Sequence, residues 1–310
     1  MKTNESARHG SQHRARPATV AGQAQPESPK PARRFMLLRP EDPPSSPPLS
    51  PAVRHPRAGR FHLHSLGLAA WLLASLTVLV LAATNTLAAE GKIRVLLVSG
   101  GHDFETNQLY QMFQANPDIT FEAVVHPRAH VKLRPESAKN FDVLVLYDMW
   151  QNATDEAKAD LVAFLQSGKG LVSLHHSIAN YQKWPEWNRI VGGRYYLEKT
   201  VVDGVPKPQS IWKHDVKFQV HVADPNHPVT RGVKDFEIHD ETYGLFDTGP
   251  ESHVLLTTDE STSAKNIGWA KTYDAARVVY LQLGHDHFAY ENPNYSRLVR
   301  QAIRWVARKE

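Results

Sequence analysis

From residue 92 onward the apolar positions fall into short unbroken runs separated by stretches of helical spacing. Residues 93–99 (IRVLLVS) are mostly β-branched or leucine and end in Gly100 and Gly101, the pattern of a strand buried on both faces. Residues 104–115 then carry Leu109, Met112 and Phe113 on one helical face. Residues 119–125 and 142–148 (DVLVLYD) read as a second and a third strand. Thr154 is an N-cap, with Asp155 and Glu156 in the first turn, Leu161, Phe164 and Leu165 as the apolar stripe and Gly168 as the stop. A fourth strand, 170–175, follows directly. Short buried strands alternating with helices predict an α/β fold: a mostly parallel sheet with helices on both faces.

Residues 178–275 are less regular. Within them 212–222 (WKHDVKFQVHV) alternates like a half-exposed strand, and 233–238 (VKDFEI) reads as a short one. A last buried strand spans 277–283. The final helix opens at Asn294, with Leu298, Val299, Ala302, Ile303 and Val306 inward and Arg297, Arg300, Arg304 and Arg308 as a solvated row.

In an open parallel sheet, ligands sit beyond the carboxyl ends of the strands, where the strand order reverses. The residues just past each apolar run therefore carry the candidate chemistry. They are His102 and Asp103 after the first strand, Asp148 and Trp150 after the third, His175 and His176 after the fourth, and His285, Asp286 and His287 after the last. Histidines at the same ends of several strands point at one crevice. His126, His130, His214, His221, His227 and His253 lack this placement and read as surface or loop residues. Behind VKDFEI stand His239, Asp240, Glu241 and Tyr243; carboxylates that accept from hydroxyls beside a ring that stacks suit a sugar.

Composition changes the picture at the N-terminus. Residues 1–65 hold 11 of the 21 prolines and 11 Lys/Arg against 4 Asp/Glu, a net +7. The whole chain is +4, so residues 66–310 carry −3, and the basic pI belongs to the tail. Nucleic acid is therefore not an expected partner. Residues 1–60 have too few apolar side chains to offset the entropy of ordering and are expected to be disordered. Residues 66–83 (LGLAAWLLASLTVLVLAA) carry no charge, follow Arg54, Arg57 and Arg60, and lead into small residues before Glu90. The segment 61–89 reads as a signal peptide cleaved near Ala88 or Ala89, or as a retained N-terminal membrane anchor. Either exports the domain at 90–310, to the periplasm, the exterior or the outer face of the inner membrane. The chain has no cysteine, which excludes disulfides, thiolate metal sites and every cysteine-nucleophile mechanism.

The ordered set IRVLLVSGGHDF, GLVSLHHS, Gly192–Gly193, NHPVTRGVKDFEIHDETYG and VVYLQLGHDHF resembles the ThuA-like (trehalose utilisation) family over residues 92–308. The resemblance implies a class I glutamine amidotransferase-like, flavodoxin-like α/β fold and a place in carbohydrate metabolism of the trehalose type. In the related amidotransferases the nucleophilic cysteine occupies a G-x-C-x-G elbow, and the catalytic histidine follows the last strand. His175, in Ser173-Leu174-His175-His176-Ser177, and His285 match those two positions. Without a thiol, cysteine-dependent glutamine hydrolysis is impossible, and no G-x-S-x-G elbow replaces it. The resemblance carries over the place of the active site and not its chemistry.

Two chemistries fit an enzyme acting on a carbohydrate. His175 and His285 can transfer protons on a sugar or keto-sugar with Glu241 as partner. Alternatively, two or three of His102, His175, His176, His285 and His287 hold a divalent metal, with His102, His176 and His287 as the provisional metal set. His102, Asp148, Trp150, Asp240 and Tyr243 are expected to bind substrate. If the fourth strand continues through His176, only one of His175 and His176 faces the site. At a crevice, replacing His175 or His285 by Ala is expected to cost no more than about 1 kcal/mol of stability. The competing class is a non-catalytic carbohydrate-binding or scaffold domain.

Overall fold

The first apolar run forms β1 (Ile93–Gly100), and its alternation divides its side chains between two cores. Val95 and Leu97 enter one, Leu96 and Val98 the other. The computed structural model describes residues 91–310. The expected tail and signal or anchor segment lie outside the described residues. Among those described, no helix is long and apolar enough to cross a membrane.

After β1 come α1 (Thr106–Gln114), β2 (Ile119–Val125), α2 (Ala129–Leu133), α3 (Pro135–Ala138), β3 (Val143–Asp148), α4 (Asp155–Gln166) and β4 (Gly170–Leu174). A 3-10 turn, His175–Ala179, and α5 (Pro185–Val191) follow. The next strands are β5 (Gly193–Arg194), β6 (Thr200–Val202), β7 (Val205–Lys207), β8 (Ile211–Val222), β9 (Phe236–Gly244), β10 (Asp247–Thr248), β11 (His253–Thr257), β12 (Asn266–Tyr273) and β13 (Ala276–Leu281). Helices α6 (His287–Tyr290) and α7 (Pro293–Val306) close the chain.

Among the described residues, nine strands form one sheet in the order β2-β1-β3-β4-β13-β12-β11-β8-β9. The first five are parallel, and the remaining pairs are antiparallel. Helices α1 and α7 cover one face, while α2 to α5 cover the other. The expected α/β sheet is present, and its order reverses between β1 and β3. The arginine row on α7 is not merely solvated, because Arg300 and Arg304 reach Asp118 at 2.7 and 3.1 Å.

Two local departures shape the crevice. β4 stops at Leu174, because His175 adopts φ 51° and turns the chain into the 3-10 helix. The strand alternation that was to separate His175 from His176 therefore ends before it reaches them. In addition, β9 extends to Gly244, so Asp240, Glu241 and Tyr243 stand within a strand rather than behind one. Their strand partner β8 carries a β-bulge: Lys213 pairs with Thr242 and Val216 with Asp240, leaving His214 and Asp215 opposite Glu241.

Candidate active site

His175 is fully buried and lies at the centre of a polar cluster. Its Nδ1 faces the Gln282 carbonyl at 2.7 Å, which places the ring proton on Nδ1 and frees Nε2. Around Nε2 stand the Tyr243 hydroxyl at 2.8 Å, Glu241 Oε2 at 3.1 Å and His285 Nδ1 at 3.3 Å. Glu241 Oε2 is in turn 3.3 Å from His285 Nδ1, and its Oε1 is 3.1 Å from His214 Nδ1. Glu241 and Tyr243 share a face because they stand two apart on β9.

Three local features bring these groups together. The left-handed turn at His175 lifts its ring off the end of β4. Gly284, with φ 113°, admits a turn after β13 at a point where a Cβ would run into the Tyr295 hydroxyl. Buried Asp240 accepts the backbone N–H groups of Gly284 at 2.8 Å, His285 at 2.9 Å and Glu241 at 2.8 Å. One carboxylate thus fixes the loop that presents His285 and the strand that presents Glu241.

The cluster is strongly coupled. Burial opposes ionisation of Glu241, but the neighbouring His175 and His285 outweigh it and hold the carboxyl well below its ordinary range. Burial would lower the pKa of His285, but the hydrogen bond to Glu241 raises it instead. Burial raises the pKa of Asp240, opposed by nearby His175 and the three N–H bonds. Burial holds the Tyr243 phenol well above its ordinary value, so it remains a hydrogen-bond donor.

A cavity of about 250 Å³ opens beside the cluster, with Glu241, Tyr243, His102, His176, His214, Gln209, Tyr195 and Trp212 in its wall. His176 stacks against His102 at 4.8 Å, and neither of its ring nitrogens has a partner. Trp212, 59% exposed, stands at 4.6 Å from His214, which is 4.5 Å from His285, so rings lead from solvent to the cluster.

The expected site residues divide accordingly. His175, His285, Glu241 and Tyr243 meet; His102 and His176 line the cavity; Asp240 supports from behind. Asp148 does not line the cavity: it is fully buried and held by His126 at 2.8 Å and Asn180 at 2.7 Å. Trp150 stacks on His126 at 5.0 Å rather than facing the cavity. His287 turns to Glu105 at 3.0 Å, so His102, His176 and His287 do not form a ligand set. The three-ligand group among the described residues is His175, Glu241 and His285. Two histidines read as surface or loop residues belong elsewhere. His126 is buried on Asp148, and the β8 bulge brings His214 to Glu241. Gln209, Tyr195 and Trp212 carried no signal in the sequence beyond their residue types.

A parallel α/β sheet with histidines gathered at its carboxyl edge defines the class. Residues 94–306 match the family model described as ThuA, trehalose utilisation, and the chain belongs to that family. Membership supports a role related to trehalose utilisation. No curated protein matches the chain. Among solved structures, a ThuA-like protein from Parabacteroides merdae aligns with TM-score 0.59 and 20% identity, over 70% of this chain and 90% of that one. One from Bacteroides uniformis aligns with TM-score 0.54 and 18% identity, over 70% and 93%. A glutamine amidotransferase from Thermotoga maritima aligns with TM-score 0.45 and 13% identity, over 70% and 99%.

Proposed function

We propose that the chain is an enzyme that moves a proton on a sugar or keto-sugar of the trehalose type, with His175, Glu241 and His285 as the reacting groups. One observation carries this reading. The Nδ1–H of His175 is committed to a carbonyl, so its Nε2 is the basic nitrogen. It accepts from the Tyr243 hydroxyl and lies beside Glu241, two groups of the cavity wall through which it can exchange a proton. A ring carbonyl acidifies the neighbouring C–H, which brings it within reach of an imidazole or carboxylate base. The wall suits such a ligand, because exposed Trp212 offers a ring and Gln209, His102 and His176 offer hydrogen bonds to hydroxyls, while Met149, Ile178, Ala179 and Leu197 give it an apolar side. Hydrolysis by a pair of carboxylates fits less well. Glu241 is the single carboxylate in the cavity wall, and Asp240 is committed to backbone N–H groups. Export through residues 66–83 belongs to the same reading and rests on the sequence.

The test is turnover of trehalose and of its keto derivatives by the full chain. H175A, E241Q and H285A should each lower turnover by about 100-fold or more. The sugar should still raise the melting temperature of E241Q. Sugar binding with no turnover in the unmodified protein would instead identify a carbohydrate-binding domain.

A further inference from the structure

Three ligating atoms converge in the cluster, and their lone pairs repel unless a proton or a metal ion lies among them. His175 Nε2, Glu241 Oε2 and His285 Nδ1 form a nearly equilateral triangle with edges of 3.1, 3.3 and 3.3 Å. A tetrahedral ion with nitrogen and oxygen ligands at about 2.0–2.1 Å sets those ligands about 3.3–3.4 Å apart. The triangle has that size already.

The groups that orient metal ligands are also in place. The Gln282 carbonyl takes the Nδ1–H of His175, so Nε2 carries the lone pair that would ligate once the Tyr243 hydroxyl, 2.8 Å away, turns from it. His214 holds the far oxygen of Glu241. Asp240 fixes the backbone of both Glu241 and His285. Among the described residues, no other three histidine, aspartate or glutamate groups converge in this way.

We propose that His175, Glu241 and His285 bind one divalent transition-metal ion, of the kind that imidazole and carboxylate ligands hold, with a further position left for water or substrate. Two histidines and a glutamate are a known catalytic zinc set. What the ion acts on rests on the reading above, whereas its binding does not. With the ion bound, His175 serves as a ligand. Such an ion would supply acid–base chemistry by lowering the pKa of a water it binds toward about 7.

The full chain, stripped with chelator, is titrated with Zn²⁺ alone, and its zinc is counted by elemental analysis. One ion per chain should bind. H175A, H285A and E241Q should each weaken binding by about 100-fold or more, while H253A leaves it unchanged. Should H175A fail to fold, H285A decides, since its side chain is partly exposed in a loop. Absence of binding, or binding that survives in both H285A and E241Q, overturns the proposal. Turnover that needs His175 without any zinc refutes the ion and leaves the proton-transfer reading. Zinc held by the three residues without turnover of any sugar does the reverse.

Discussion

His176 is the side chain whose state depends most on what enters the cavity. It is 3% exposed with both ring nitrogens unpartnered, and burial, helped by His175 and His102, holds its pKa well below the ordinary value. The folded ring stays neutral where the unfolded ring gains a proton, below about pH 6.5. The unfolded state then binds more protons, so this group makes stability rise with pH up to about 6.5 and level off above it. Its share of the slope reaches about 1.4 kcal/mol per pH unit. In H176F the slope of unfolding free energy between about pH 5 and 6.5 should be shallower by one proton. Stability at neutral pH should change by less than about 1 kcal/mol, because no hydrogen bond is lost. An unchanged slope in denaturant titrations would mean that His176 titrates normally in the folded state. At this scale much of the site was legible, because His102, His175, His176 and His285 all follow apolar runs. His214 was not, because only the bulge on β8 turns it toward Glu241.

At the scale of elements, the turn from β4 into the 3-10 helix decides the geometry. The sequence supports a strand through His175 and a small cost for H175A. Full burial reverses the second expectation: truncation leaves a void and removes the partners of the Gln282 carbonyl and the Tyr243 hydroxyl. H175A should cost about 2–4 kcal/mol. H175G should cost roughly 1 kcal/mol less than H175A, because glycine adopts a positive φ without the Cβ penalty. Equal stabilities of the two variants in chemical denaturation would show that the turn stores no strain. The elements with unbroken or helical apolar patterns were legible. Thr154 caps α4 by accepting from Ala157 N at 3.1 Å, as its position suggests. β9 runs past its apolar half because Asp240 and Glu241, in the polar half, are held by hydrogen bonds and ion pairs of the cluster, which no apolar pattern announces.

For the whole molecule, Asp118 joins the start of β2 to the last helix through Arg300 and Arg304. Hydrogen bonding to Arg300, partly offset by burial, lowers its pKa in the folded state. A lowered carboxyl contributes stability above its unfolded pKa and loses it as pH falls through the folded one. D118N should cost no more than about 1 kcal/mol at neutral pH, since the pair is screened by solvent. The difference from the unmodified protein should shrink in high salt and again between about pH 5 and 3. A constant difference across that range, measured by thermal unfolding, would rule out the ion pair as its source. The parallel half of the sheet was legible because buried strands leave unbroken apolar runs. The meeting of β9 with the end of β4 was not. These strands lie far apart in the sheet order, and no pattern in either announces the contact.

The attachment of the β8–β9 ribbon has a mechanical consequence. Its ladder joins the main sheet only at Val222 and His221, facing Leu256 and Thr257, whereas Glu241 lies near the opposite end. Over the roughly 25 Å from that junction to Glu241, at about 3.3 Å per residue, the ribbon is held by core packing of Val216, Phe218 and Ile238 and, at its far end, by the Ala264 N–H on the Tyr243 carbonyl at 2.7 Å. A misplacement of about 1 Å can cost two orders of magnitude in rate. Asp240 adds a tie from that end to the backbone of Gly284 and His285, so an acid that faces away from the cavity helps set the position of the one that faces into it.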